Sequence, residues 1–469
     1  MKLGLVGASY QERSLPFDAQ RTVNLYPVVD ESRQGKEVAA LYGTAGLKVF
    51  VEIPDSPIRA EFYSAKQKRA FAVAGEGLYE VFANGTYLLL GTLDSNESVC
   101  TVAENVTQLA VCDGNDLYIL TYATNTLVKV DDPSFPQASS VVFVDQYFVV
   151  SKPDSAEFYI STLADGTGWA SLDFATAESS PDDLVRVFAS FGQLFLMGEN
   201  TTEIWYNSGN VDFPFARVEG AKMQVGLAAR DSAVEIDNSL FWVGSDKDGD
   251  SIIYRANGYN EQRVSTHAIE EILGKIDDIS AIRGYSYQEN GHSFYVITGG
   301  GLPTSLAYDA STQMWHEKAY TNSKGDFEVH RAASHIFAFG KNLVGDYSNG
   351  KIYEQSLDFY DDDGDEIRRE RTFTHISSEN NRFTVNEVQI DFESGVGLTN
   401  GQGSDPQVWL QTSNNGARSF GTELLAGIGK LGKLRTRAVW RRLGQFDLMT
   451  LKVSISDPVK VAICGAYMK

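Results

Sequence analysis

Between residues 58 and 357 the chain repeats one pattern: short runs of β-branched and aromatic residues, each cut off by Gly, Asn or Asp. The stretch 184–220, LVRVFASFGQLFLMGENTTEIWYNSGNVDFPFARVEG, shows it clearly. Runs this short, bounded by turn residues, read as an antiparallel meander. Units of the pattern lie at 60–93, 97–130, 139–175, 184–220, 228–265, 278–319 and 328–357. In most of them the second run is the most apolar (FAVAG, LAVCDG, YFVVS, LFLMG, LFWVG, SFYVITG). A strand covered on both faces by neighbouring layers has that character. Unit starts recur roughly every 35–50 residues, near the length of a four-stranded propeller blade. A sandwich or a parallel β-helix would also supply many short strands, but groups of four with one internal order favour an all-β chain built on a β-propeller. Seven blades are expected, with six as the alternative; the fourth strand of the last unit is doubtful. Asn84-Gly85 is a type I′ hairpin signal. The one convincing helix is 267–273.

The flanks differ from the repeat. Residues 1–57 read as an N-terminal arm that packs on the C-terminal module, with strand candidates at 17–26 and 41–50. The propeller is expected over 58–360. The run DDDGDEIRRER at 361–371 is a charged break, so 361–372 is read as a linker. Residues 373–469 then hold strands at 373–392, 407–412, 438–444, 448–456 and 459–467, with an Asn415-Gly416 turn, and form a small antiparallel β-sandwich.

Composition narrows the function. Hydrophobic residues make up 43% of the 469, enough for a large core. The balance of 62 acidic against 40 basic residues leaves a net charge of -22, which repels phosphate backbones and anionic membranes. Cys100, Cys112 and Cys464 form no disulfide framework and are expected reduced. The start MKLGLVGASYQER has too few apolar residues for a signal peptide, and no apolar run reaches membrane-spanning length. Synthesis and assembly in a cytoplasm, without membrane insertion, are the expectation.

The C-terminal run VWRRLGQFDLMTLKVSISDPVKVAICGAYMK, 439–469, resembles the packaged-DNA stabilisation proteins of short-tailed bacteriophages, also called tail accessory factors, tail hubs or nozzle proteins. The motif is a Trp-x-Arg-hydrophobic-Gly step (Trp440, Arg442, Leu443, Gly444), a hydrophobic strand (451–456), Asp457-Pro458 and a final strand (459–467). The hairpin TSNNGARSFG (412–421), the segment 177–206 and the arm RTVNLYPVVDE (21–31) are similar to matching parts of that family. These motifs are structural, not catalytic. The resemblance implies a virion component assembled in the host cytoplasm: a ring, usually a hexamer, below the portal and its adaptor. Such a ring prolongs the DNA channel, retains packaged DNA, supports its ejection, and carries or adjoins a distal needle, fibre or spike. Double-stranded DNA would pass without specific contact, and an acidic wall would let it slide.

No enzyme signature stands out, and no cofactor is expected. Residues 161–169 (STLADGTGW) and 413–420 (SNNGARSF) are faintly similar to the Asp-box of sialidase blades, but that box is a hairpin turn. Glycoside hydrolysis needs two placed carboxylates, which 62 acids cannot single out. Asp246-x-Asp248-Gly249-Asp250 and Asp361-Asp362-Asp363-Gly364-Asp365 resemble calcium loops but lack the Gly at position six and the distal Glu. The six histidines are scattered and give no zinc set. Gly299-Gly300-Gly301 lacks the Lys-Ser/Thr of a phosphate-binding loop and reads as a hairpin tip. What does stand out is a basic cluster in an acidic chain: Lys430, Lys433, Arg435, Arg437, Arg441 and Arg442, with Trp440 beside them. It reads as ordinary surface or as a contact for an acidic neighbouring subunit or adaptor, with DNA contact third. Trp440 is either core or an interface anchor. A glycan-binding or glycan-cleaving tail propeller is the alternative to a hub, and a free-standing cytoplasmic scaffold is a third reading.

Overall fold

The computed structural model describes every residue except Arg33, Gly35, Lys36, Ser56, Asn96, Asp246, Lys247, Asp248, Asp250 and Asn380. Seven antiparallel blades follow one another around an axis. The first runs Ile58–Ser64, Arg69–Ala74, Gly77–Val81 and Tyr87–Thr92 from the inside outwards. In the fourth the order is Leu184–Ser190, Gln193–Gly198, Thr202–Asn207 and Phe215–Met223. The second strand of each blade is the buried one: all five residues of Gln108–Cys112 are inaccessible, as are five of six in Arg69–Ala74 and in Gln193–Gly198. Apolar side chains on both faces of such a strand pack against both neighbouring blades, which is why the pattern is continuous and not alternating.

Blade count follows from the joints. A closed ring needs as many blade-to-blade seams as blades, and seven separate apolar clusters fill them. Phe71, Val73 and Leu78 of the first blade meet Leu109, Val111 and Tyr118 of the second. At the other end Ala338, Leu343 and Ile352 of the seventh blade meet Ala70 and Ala72 of the first. The seventh blade takes its missing fourth strand from the N-terminal region: Gly46–Glu52 pairs antiparallel with Lys351–Ser356, Ile352 lying opposite Val51 and Gln355 opposite Leu47. The arm is thus divided. Residues 46–52 belong to the propeller, whereas Ala19–Val23, Leu25–Val29 and Ala39–Gly43 enter the sandwich.

Two sheets form that sandwich. One holds Leu25–Val29, Ala39–Gly43, Ala462–Met468, Phe383–Phe392 and Ala438–Phe446. The other runs Ala19–Val23, Arg369–Thr372, Leu448–Ile455, Gln407–Ser413 and Leu424–Gly427. Between them lie Val388, Ile390, Leu410, Trp440, Met449, Leu451 and Val453. Ala19–Val23 also joins the outermost strand of the sixth blade, Met314–Thr321, by a parallel bridge from Val23 to Glu317. One sheet therefore continues from propeller to sandwich, so the two bodies share backbone hydrogen bonds. The charged break at 361–372 is not a free linker: Asp361–Asp362 and Asp365–Glu366 form a small hairpin, and Arg369–Thr372 is a buried central strand. Arg371 offsets the cost of burial by bonding backbone and side-chain oxygens. Arg371 donates to the carbonyls of Leu5 (2.8 Å) and Ala8 (3.3 Å), to Thr22 Oγ1 (2.8 Å) and to Gln20 Oε1 (2.7 Å).

The helix is present at His267–Leu273. The Asn84-Gly85 turn is present, but Gly85 alone has positive φ (+78°), so it is not type I′, which needs two such residues.

Candidate functional site

The basic cluster lies at one open edge of the sandwich. Leu424–Gly427 ends one sheet and Ala438–Phe446 ends the other, so two edge strands face the same side. Between them the loop 428–437 turns outwards and presents Lys430, Lys433, Arg435 and Arg437, all exposed. Arg441 and Arg442 are exposed on the edge strand itself. Arg442 occupies the left-handed region (φ 61°) inside a bulge, where Val385 pairs with Gly444 but Glu387 pairs with Arg441. The bulge breaks the alternation and leaves two successive arginines in solvent.

Apolar side chains interrupt this charge. Leu425 is 61% exposed, Leu431 57% and Leu434 75%, three large apolar side chains that folding leaves uncovered. Three of the cations are held by acids of the same face: Lys430 by Asp405 (3.3 Å), Arg437 by Asp391 (4.0 Å) and Arg441 by Glu387 (3.0 Å). Lys469, and after it Arg441, keeps the Glu387 carboxyl below the usual carboxylate range. Lys433, Arg435 and Arg442 form no ion pair with any described residue. Trp440 does not belong to the surface. It is 4% exposed, sits in the sandwich core and donates from Nε1 to the Leu424 carbonyl (2.8 Å). Strand alternation points it inwards while Arg441 points out, so of its two readings the core one holds, and its indole ties the two edge strands together.

The other candidates resolve into structure. Residues 161–169 span a plain turn at Leu163-Ala164 between Glu157–Thr162 and Asp165–Thr176. Gly299, Gly300 and Gly301 all have positive φ and form a blade hairpin tip, a conformation L-residues resist. In the 361–365 loop, Asp363 pairs with Lys351 (3.1 Å), Asp365 pairs with Arg331, and Asp362 is buried opposite Leu47. The loop at 246–250 lies outside the described residues apart from Gly249. Cys100 and Cys112 are free, and burial pushes both thiols up to about 12. No group of three or more His, Cys, Asp or Glu among the described residues is arranged to hold a metal ion.

Sequence reading missed a second concentration of charge, at the propeller axis. There Arg59, Arg186 and Arg283 line a cavity together with Glu61 and Asp231. The three arginines come from the first, fourth and sixth blades, so no local spacing announces them.

Comparison with known proteins now bears on this geometry. Residues 1–359 match the family described as bacteriophage P22 Gp10, beta-propeller, and residues 368–469 match its companion, bacteriophage P22 Gp10, beta-sandwich. No curated protein sequence matches the chain. Among solved structures, the extracellular domain of a one-component system from B. thetaiotaomicron aligns at 8% identity and TM-score 0.45, over 67% of this chain and 40% of its own. A chain of the mitotic checkpoint complex aligns at 13% identity and TM-score 0.41, over 65% and 90%. The N-terminal domain of Nup159 aligns at 8% and 0.39, over 72% and 98%. These likenesses are too weak to carry function. The two family matches together span the propeller, its N-terminal closing strand and the sandwich, and on them the chain belongs to the bacteriophage P22 Gp10 family of phage structural proteins that stabilise packaged DNA.

Proposed function

We propose that the chain is the repeating subunit of a tail hub: a ring, expected to be a hexamer, that continues the portal and adaptor channel, retains packaged DNA and opens for its ejection. The observation that carries this reading is the sandwich edge. A ring is built from heterologous contacts, in which one patch of a subunit meets a different patch of the next. Exposed leucines flanked by unpaired Lys433, Arg435 and Arg442 suit such a patch. Its complement is a neighbouring copy, because the rest of a chain with net charge -22 is strongly acidic. In the assembled ring the sandwich faces the portal side, where the adaptor binds, and the propellers face outwards or distally, towards needle, fibre or spike proteins. The chain acts as a structural component, not a catalyst.

The test is cryo-electron microscopy of intact particles carrying either the natural chain or the charge-reversed K433E/R435E/L434E variant. The expected result is a symmetric ring below the portal with this edge at the subunit boundary, and particles lacking the ring when the variant is supplied. Natural particles in which the chain sits peripherally, with the edge in solvent, would refute the hub.

A further inference from the structure

The propeller axis holds a cavity of about 250 Å³, walled by the innermost strands of six blades. Its cationic lining is unusual for so acidic a chain, and it is incompletely bonded. Arg59 is only 2% exposed. Its Nε donates to the Ser98 carbonyl (2.6 Å) and its Nη1 to the carbonyls of Ser95 (2.5 Å) and Gly75 (2.9 Å). These bonds lock the guanidinium plane, yet the remaining nitrogen, Nη2, is buried without a partner. Arg186 repeats the arrangement: Nη1 donates to the Arg230 carbonyl (3.0 Å), while Nε is buried and unpartnered. Arg283 is half-buried and makes no hydrogen bond or ion pair with any described residue. Burial lowers the pKa of its guanidinium, with Arg230 and Arg59 adding to the effect and Asp231 opposing it.

The facing groups do not cancel this charge. Asp231 is engaged by Arg230, which stands behind the wall and bonds both carboxylate oxygens (3.1 and 3.0 Å). Glu61 accepts from Ser334 Oγ (2.5 Å), its other oxygen is unpartnered, and burial pushes its carboxyl up to about 7. His335 is driven down to about 4 by burial and stays neutral at pH 7. Three guanidinium groups thus line a cavity with one carboxylate already engaged by Arg230 and one whose pKa burial raises. Buried N–H groups without acceptors are costly and rare in folded proteins. An arginine fork is satisfied best by a planar or tetrahedral oxyanion that takes several N–H bonds at once.

We infer that the axial cavity is a binding site for a compact oxyanion of the phosphate class, held by the Arg186 and Arg283 guanidinium groups, with Arg59 adding positive charge from the wall. The arginines come from separate blades, so the anion would bridge the ring from within. The site is independent of the hub reading, since it needs one subunit only. The same chemistry is offered by free phosphate and by a phosphate monoester; the cavity is small for a nucleoside, which favours the free anion.

The experiment uses the full chain in phosphate-free buffer at constant ionic strength, with calorimetric titration and melting curves. The probes are inorganic phosphate, a nucleoside 5′-monophosphate, a short DNA duplex and chloride. Saturable binding of phosphate with a raised melting temperature, not reproduced by chloride, is the expected result. Arg283→Met should weaken it about tenfold or more, as loss of a charged hydrogen-bond donor does. Glu61→Gln should tighten it several-fold by removing the opposing charge. Binding of the monophosphate as tight as that of phosphate would assign the site to esterified phosphate. Absence of saturable phosphate binding, binding of the duplex alone, or equal effects of chloride would overturn the site. If Arg283→Met does not fold, Glu61→Gln decides: unchanged or weaker binding overturns the proposal.

Discussion

Ile352 of the seventh blade lies directly opposite Val51, a residue that precedes the first blade. The ring is therefore closed by a strand from the start of the propeller's own sequence. Val51 is 3% exposed within the seam between the seventh and first blades, whereas Lys48 on the same strand points to solvent. Val51→Asp should cost about 3 kcal/mol or more, as an unpaired buried charge does, and expose the N-terminal segment to proteolysis. Lys48→Gln should stay within about 0.5 kcal/mol. Denaturant unfolding checks both; equal effects would mean the strand does not hold the ring shut.

Arg371 ties the N-terminal segment to the sandwich by four hydrogen bonds and pairs with no carboxylate among the described residues. Burial lowers its pKa to about 10. Arg371→Ala strands the carbonyls of Leu5 and Ala8, so a loss of about 3–5 kcal/mol is expected. Hydrogen exchange should show faster amides in residues 3–9. A variant with unchanged exchange there would contradict this role.

Trp440 and Arg435 neighbour each other in sequence but belong to different environments. Trp440→Ala should destabilise by about 3–5 kcal/mol through cavity formation. Arg435→Ala, on an exposed loop, should leave the melting temperature nearly unchanged. If the ring forms as proposed, the second variant weakens assembly and the first weakens folding. Melting curves alongside native mass spectrometry separate the two.

His316 is fully buried against Tyr26 and Phe294, and neither ring nitrogen has a partner among the described residues. Burial drives its pKa from 6.5 to about 3. The folded value lies below the unfolded one, so the unfolded chain takes up the proton first and stability is lost as pH falls from 6.5 towards 3. His330 and His335 act in the same direction. Glu61, Glu289 and Asp362, each raised to about 7 chiefly by burial, act oppositely and add stability as pH falls below 7. The whole chain's slope is thus a difference, and a single variant isolates one contribution. His316→Gln should gain about 2 kcal/mol over the natural chain between pH 7 and pH 5. A pH-independent difference would show that His316 does not titrate in this way.

The blades could be read directly from the residues because a strand's character is local. Apolar runs such as LFLMG and LFWVG, and the turns between them, are set by neighbours a few positions away. The same holds for the His267–Leu273 helix and for the open, basic loop that carries Lys433 and Arg435. Closure of the ring by Gly46–Glu52 could not be read this way, since its partner lies at the far end of the propeller and nothing in either segment names the other. Nor could the fate of Arg371, which looks like part of a solvated charge run until the carbonyls of Leu5 and Ala8 accept from it. Trp440 reads from sequence as core or as an anchor, and strand direction assigns it to the core. The axial arginines are the clearest case. Arg59, Arg186 and Arg283 stand a blade or more apart in the chain, and only the circular arrangement of inner strands brings them to one cavity. Propensity and burial pattern act over a few residues, whereas pairing and convergence depend on how the whole chain closes.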